Sequence, residues 1–425
     1  TEDYLVEVII KEKKIYVFAD FLPFQNELIG TIYVSQTRGK EFYSFEYVES
    51  WLEKGNRILD PDLQLYKGRQ YINDDKNIFG VFADSCPDRW GKRLMKCREE
   101  LRAKKAGEKL RKLLESDYLL GVYDEARMGG LRFKTDSEGE FLSNDKEYAT
   151  PPWTSLRELE QASYAFENDD TGLEEKWLKQ LIAPGSSLGG ARPKASVMAP
   201  DGSLWIAKFP SKHDDFNSGA WEMVAHDLAV KCGLNVPEAK VEKVSKLGTT
   251  FLVKRFDRVG AQRIHFSSAM TMLGKKDGAN ATDGSSYLEI VSFLKADGAK
   301  PKRDLEELWK RIVFSMAVSN TDDHFKNHGF ILSDEGWELS PLYDVNPDIY
   351  GEYLSLNVDA DNSSIDFELA VQAAPYYGIG KKYAVQEVDK IKNTVRENWK
   401  ELAKKYGISR GEIERMSPAF RECDR

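Results

Sequence analysis

A chain of 425 residues is longer than one hydrophobic core usually organises, so two or three domains are expected. With 41% hydrophobic and 31% charged residues, and no apolar run near the roughly 20 residues a bilayer crossing needs, the composition excludes a disordered chain and a helical membrane span. A formal net charge of −9 argues against non-specific nucleic-acid binding by the whole surface, although a local basic face is compatible with it. Residues 1–14 carry no signal-peptide pattern, which predicts a cytoplasmic protein. Cys86, Cys97, Cys232 and Cys423 are scattered and form no Cys-x-x-Cys pair, so neither a zinc ribbon nor a disulfide framework is expected.

In chain order, Val6, Val8 and Ile10 alternate with charged residues, and the runs 15–18 and 28–34 are β-branched and aromatic. This predicts a small antiparallel sheet. Pro87-Asp88-Arg89-Trp90-Gly91 opens a charged segment over 79–115 whose Leu94, Leu101, Leu110 and Leu113 predict helices. Its many Lys and Arg read as a solvated face. Polar residues with Gly139, Asn144 and Pro151-Pro152 mark a linker and a boundary near 150. An acidic helix over 155–181 follows, with Thr154 or Ser155 as its cap and Glu158 in its first turn. Strand-like runs at 195–198, 204–209, 239–244 and 249–256 enclose a helix at 220–232, a small two-layer lobe. Beyond Arg258 the pattern is mainly helical, including 304–319 and 385–406. The expected division is 1–150, 151–257 and 258–425, in an α+β chain.

Chemistry concentrates in Ser319-Asn320-Thr321-Asp322-Asp323-His324-Phe325-Lys326-Asn327. Asp322 and Asn327 stand at the interval of a kinase catalytic loop, where the Asp accepts a hydroxyl proton and the Asn holds magnesium. Asp344 follows a predicted hairpin, the place of a second magnesium carboxylate. Lys208 interrupts the apolar strand Leu204-Trp205-Ile206-Ala207-Lys208-Phe209, an expensive position without a fixed anionic partner, and Glu222 lies on the next helix. Upstream, Pro184-Gly185-Ser186-Ser187-Leu188-Gly189-Gly190-Ala191-Arg192-Pro193-Lys194 allows backbone N–H groups to approach phosphate, with Arg192 or Lys194 adding charge. Val253 to Arg258 would form a hinge beside adenine. Each feature alone has a plainer reading: a polar helix-end loop, a turn aspartate, an edge-strand lysine, a generic Gly-rich turn.

Taken together, Ser187 to Lys194, Ile206 to Pro210, Gly233-Leu234-Asn235-Val236-Pro237, Lys254 to Arg258, Asn320 to Asn327 and Ser340 to Val345 resemble the HipA family of bacterial toxin kinases, over residues 180–346. The span 79–133, with Pro87 to Gly91 and Arg127-Met128-Gly129-Gly130-Leu131, is similar to the N-terminal module of that family; beyond 346 the likeness is compositional.

The resemblance implies a two-lobed protein-kinase-like fold and an ATP- and Mg2+-dependent serine/threonine protein kinase, the toxin of a toxin-antitoxin pair. Asp322 would be the base, Asn327 and Asp344 the magnesium ligands, and Lys208, partnered by Glu222, the lysine on the ATP phosphates. Gly189, Gly190, Ala191, Arg192 and Lys194 would form the phosphate loop, Lys254, Arg255 and Phe256 the hinge, and His324, Lys326, Asn327 and Tyr343 the nucleotide lining. Ser187 matches the self-phosphorylated serine that switches family members off. The implied partners are a small DNA-binding antitoxin of HipB type, with DNA reached only through it, and a protein substrate such as an aminoacyl-tRNA synthetase or another translation factor. No membrane is implied. Two departures are visible: Arg192-Pro193 replaces an uncharged and an acidic residue of the best-known member, and Asp323 replaces a glycine.

Two other readings compete. His324 and His328, four apart beside Asp322 and Asp323, suggest a metal-dependent hydrolase. A catalytically silent, antitoxin-binding co-repressor is the other. The kinase reading requires Lys208, Asp322, Asn327 and Asp344 to meet in one cleft.

Overall fold

A computed structural model of the chain describes residues 12–54, 57–73, 76–146, 149–168, 181 and 192–425. The first sheet is antiparallel, in the order β4-β3-β2-β1-β5, from β1 (Lys13–Ala19), β2 (Glu27–Thr37), β3 (Lys40–Tyr47), β4 (Gln70–Tyr71) and β5 (Leu131–Lys134). Period-two alternation buries Ile15, Val17 and Ala19 on one face of β1. The β2–β3 hairpin turns on Arg38 and Gly39, both at positive φ (50° and 78°), the two-residue geometry whose twist fits its strands.

Helices of six or more residues are numbered from α1 (Arg89–Ala106), which Asp88 caps by accepting from the Gly91 N–H at 2.8 Å. The helix stops at Gly107, left-handed at φ 63°. Leu110 and Leu113 therefore lie in a non-helical connection before α2 (Glu115–Leu120), which corrects the helical reading of that stretch. Ser155 takes the N-cap position of α3 (Leu156–Glu167) without a side-chain cap bond. A 3-10 turn, Trp153–Ser155, leads into the helix and holds Ser155 near φ −88°, ψ 5°, not in the extended conformation that capping needs.

The second sheet, β6 (Lys194–Met198), β7 (Leu204–Lys208), β8 (Ala239–Glu242) and β9 (Thr250–Lys254), runs in the order β6-β7-β9-β8, with α4 (Ser218–Lys231) between β7 and β8 in sequence. One face, with Ala195, Val197, Trp205 and Ala207, packs on Trp90 and Leu94 of α1 and on Leu156 and Leu159 of α3. Alternation turns Lys194, Ile206, Lys208, Phe251 and Val253 the other way, onto a cavity closed by α4 and residues 342–345.

The rest is mainly helical: α5 (Tyr287–Asp297), α6 (Pro301–Val318), α7 (Phe367–Ala373), α8 (Lys381–Lys405) and α9 (Arg410–Met416). A short hairpin, β10 (Arg258–Val259) and β11 (Gln262–Arg263), and a small sheet of β12 (His265–Ser268), β13 (Gly329–Ser333) and β14 (Gly336–Leu339) complete it. One apolar cluster runs from Ile32 and Phe45 of the first sheet through Phe79 and Met272 to Trp309 and Ile312 of α6. Among the described residues no helix is long and apolar enough to cross a membrane.

Candidate active site

Helix α6 ends on Ser319, left-handed at φ 50°, and releases the chain into the loop that carries Asp322. Asn320 is buried and accepts from the Asn346 N–H at 3.2 Å, which ties this loop to the segment after Asp344. Asp323 is buried beneath it. Burial alone would raise its carboxyl, but His328, with Nε2 at 2.9 Å, and the Tyr287 hydroxyl, donating at 2.6 Å, hold it below the ordinary range. Asp323 is not among the described residues at positive φ, so this loop has no need of the glycine it replaces. The Asp322 side chain is 85% exposed, with His324 Nε2 at 3.6 Å. Enclosure by the surrounding chain, then Asp344 and Asp323, push its carboxyl up against the pull of His324.

Asn327 donates its Nδ2 to the Asp322 carbonyl at 2.6 Å, which leaves Oδ1 buried with no hydrogen-bond partner among the described residues. An orphaned buried oxygen is costly unless something outside the chain engages it. Across the cavity, Asp344 sits at φ 58°, a conformation few non-glycine residues adopt. Burial opposes its charge, but Lys208 outweighs it and keeps the carboxyl below the usual range. Lys208 Nζ lies 2.8 Å from Asp344 Oδ1 and 2.5 Å from Glu222 Oε1. The two carboxylates raise the ammonium against a burial that would lower it. A buried lysine facing two carboxylates is tolerable because each charge is offset in place. Lys208, Asp322 and Asp344 line one cavity, and Asp322, Asn327 and Asp344 an adjoining one of about 580 Å3, so the four side chains do meet.

Residues 186–399, just over half of the chain, match the HipA-like C-terminal domain. The chain belongs to that family. The HipA-like match contains Lys208, Glu222, Asp322, Asn327 and Asp344. Over 245 residues the chain is 27% identical to Y4mE of Sinorhizobium fredii, named as a candidate kinase, covering 52% of this chain and 51% of that one. It is also 27% identical over 222 residues to the serine/threonine-protein kinase toxin HipA of Shewanella oneidensis, covering 44% and 50%. The chain thus spans about half the length of the curated relatives it matches. HipA of Shewanella oneidensis MR-1, solved with HipB and its operator DNA, superposes with a TM-score of 0.66 over 96% of both chains at 16% identity. The fold is therefore the α+β, two-lobed HipA-like one, with a mainly helical C-terminal lobe.

Within this HipA-like frame the other expected residues already have partners, some at the cavity and some away from it. Arg192 forks onto Asp214 at 2.6 and 2.7 Å, and Lys194 donates to the buried Asp88 at 2.7 Å. Both line the cavity with Lys208, Asp322 and Asp344, each already paired with a carboxylate as Lys208 is. Arg255 turns away from the cavity: its guanidinium is buried against Asp257 and the carbonyls of Ala126 and Arg127, and its N–H donates to Leu204. The Lys254 N–H donates to the Glu238 backbone carbonyl, and its ammonium lies 3.6 Å from the Glu238 carboxylate. Phe256 stacks on Tyr343 with ring centres 5.7 Å apart, among Met128 and Phe266. The Tyr343 hydroxyl donates to the Lys326 carbonyl at 2.8 Å, while the Lys326 ammonium reaches Asp277 at 2.8 Å. Ser187, Gly189, Gly190 and Ala191 lie outside the described residues.

His324 faces Asp322 whereas His328 is buried on Asp323, so the two do not converge, and no group of three His, Cys, Asp or Glu among the described residues could hold a metal. A magnesium ion fits better: Asn327 Oδ1 and the Asp344 carboxylate are the hard oxygen donors it takes, with phosphate oxygens and water completing its shell. Asp88 and Asp257 were missed as partners in the sequence. Asp88 is legible there only as a helix cap, since its lysine stands 106 positions away.

Proposed function

We propose that the chain is an ATP- and Mg2+-dependent serine/threonine protein kinase of HipA type. The observation that carries this is the Lys208 ammonium held between Glu222 and Asp344, beside an orphaned Asn327 Oδ1 and an accessible Asp322. Lys208 orients phosphate oxygens through its fixed ammonium, and Glu222 keeps it there. Asp344 and Asn327 would hold magnesium, which when bound screens charge on the transferring phosphoryl group. Asp322, exposed at the cavity that Asn327 and Asp344 line, accepts the proton of the attacking hydroxyl. Ile206, Phe251, Val253 and Tyr343 line an apolar cavity beside Lys208 that would take a base.

The reading includes a division of labour among residues 1–150, 151–257 and 258–425, a cytoplasmic location and Ser187 as a self-phosphorylated off switch. It also includes toxin action within a toxin-antitoxin pair, with a small DNA-binding antitoxin of HipB type. The related Shewanella HipA, solved with HipB and operator DNA, supports that partner. The acceptor would be a protein hydroxyl, as on an aminoacyl-tRNA synthetase or another translation factor.

The test is transfer from γ-labelled ATP to protein with and without magnesium. Asp322→Asn and Asp344→Asn are expected to cut labelling by roughly 10²–10⁴-fold while circular dichroism stays native. Equal labelling by wild type and Asp322→Asn removes Asp322 from its role.

A further inference from the structure

Helix α4 carries Glu222, so its position decides whether Glu222 reaches Lys208. The helix opens at Asn217, whose side chain makes no cap bond because Thr249 occupies it: Nδ2 donates to Oγ1 at 3.0 Å and Oδ1 accepts the Thr249 N–H at 3.2 Å. The anion at this helix start comes from almost 200 residues away. Glu412 on α9 accepts from the Asn217 N–H at 2.7 Å and from the Trp221 indole N–H at 2.9 Å, both on Oε1. One carboxylate oxygen thus pins the backbone at the start of α4 and the side chain immediately before Glu222. A carboxylate at a helix N-terminus is further favoured by the helix dipole.

The same stretch grips the other lobe. Beyond α9, in the turn Ser417–Asp424, the Ala419 carbonyl accepts from the Ser319 hydroxyl at 2.8 Å, and Cys423 Sγ donates to the Ala317 carbonyl at 3.3 Å. Ala317 and Ser319 close α6 directly before the Asp322 loop. Between the two grips, Trp221 lies 6.2 Å from Phe420 and 6.4 Å from Trp399, rings that stack on each other at 4.3 Å. Met416 of α9 lines the cavity shared by Lys208, Glu222, Asp322 and Asp344.

We propose that residues 409–424 are a built-in strap that fixes α4 against the catalytic loop, and that Glu412 is a positioning residue for phosphoryl transfer, acting through Trp221 on the Glu222–Lys208 pair. The inference rests on the kinase reading above. Transfer requires that ion pair in place, so a helix free to shift at its first turn holds the lysine less firmly. Packing alone would stabilise the fold; the Glu412 bonds add direction.

The test compares Glu412→Ala, Glu412→Gln and Trp221→Phe with wild type, all assayed well below the lowest melting temperature. Trp221→Phe keeps an aromatic ring but loses the indole donor. Glu412→Ala and Trp221→Phe are expected to lower kcat by about 10-fold or more, with KM for ATP changed less than about 3-fold. Glu412→Gln, which keeps an acceptor oxygen, recovers most of the rate. The double variant Glu412→Ala/Trp221→Phe falls little below the worse single one, because both delete the same bond. Hydrogen exchange at the amides of 218–222 accelerates in Glu412→Ala. A labelling wild type with an unchanged kcat in Glu412→Ala and Trp221→Phe overturns the strap and leaves the kinase reading intact. A wild type that does not label overturns the kinase reading instead; unchanged exchange in α4 then overturns the strap separately.

Discussion

Asp257 offers the sharpest test of how the chain after β9 is held. It is fully buried and accepts from Arg255 Nε at 2.8 Å, Arg255 Nη2 at 2.6 Å, Arg258 Nη1 at 2.7 Å and the Gly129 N–H at 2.8 Å. Asp257→Asn keeps the shape, removes the charge and turns one acceptor into a donor that faces a guanidinium. Breaking a buried pair from one side costs about 3–5 kcal/mol, because the other charge stays behind without compensation. Two arginines share this carboxylate, but the carbonyls of Ala126 and Arg127 still accept from Arg255, so the loss is not doubled. With an unfolding entropy of about 2.1 cal/mol/K per residue, that loss lowers the melting temperature of a 425-residue chain by roughly 3–6 °C when it melts as one unit. Burial would raise the Asp257 carboxyl, yet Arg255 and Arg258 hold it well below the unfolded value of about 3.9. Its contribution is therefore complete above about pH 5 and is lost as pH falls through the folded value. Urea unfolding at several pH values should show a constant gap between variant and wild type from pH 8 to about pH 5, closing in stronger acid. A gap below about 0.5 kcal/mol at pH 7, or one that widens in acid, refutes the reasoning.

Two further outcomes follow from buried charges at the site. Lys208→Met removes the ammonium between Glu222 and Asp344 and leaves them the more distant Arg192 and Lys194, so burial and mutual repulsion raise the two carboxyls above the unfolded values. Stability then falls as pH rises, and the variant should melt higher at pH 5.5 than at pH 8; a profile parallel to wild type contradicts this. Asp88→Asn keeps an acceptor for the Gly91 N–H but loses the charge facing Lys194, an expected cost of about 3–5 kcal/mol, and Asp88→Ala should lose about 1 kcal/mol more with the cap. Equal urea midpoints for the two Asp88 variants would deny the cap its share.

The sequence was legible where a residue contradicts its own surroundings. Lys208 stands out in an apolar strand, and Asp322, Asn327 and Asp344 in short polar spacings beside apolar runs; the structure gathers all four around one cavity system. The strands of the second sheet and helix α4 were readable from the same contrasts of period and composition. Partners were not readable. Composition shows that charges exist but not which ones pair: Arg255 proves to face the N-terminal module, and Lys194 lines the cavity while pairing with Asp88 of that module. The helix break at Gly107 was missed because Leu110 and Leu113 continue an apolar spacing that the left-handed glycine has already interrupted. Glu412 carries no local signal, since a glutamate in the first turn of a short exposed helix is ordinary.

These misses share a physical cause that bears on how the molecule works. Apolar contacts are non-directional, so the cluster from the first sheet to α6 can hold the modules together without fixing their register to the fraction of an ångström that the proposed phosphoryl transfer needs. Hydrogen-bonded charges add little net stability over an apolar replacement, but they are directional. In this chain they occupy the seams: Asp88 on Lys194 of β6, Asp257 between Arg255 and the Gly129 turn, Glu412 on the start of α4. Lys194 and Lys208 are cross-strand neighbours, so the first seam bears on the strand beside Lys208 and the third on the helix that carries its partner Glu222. The N-terminal module and the segment after α8 are thereby parts of the frame around Lys208, and two of the residues that align that frame, Asp88 and Glu412, lie far from it in sequence on either side.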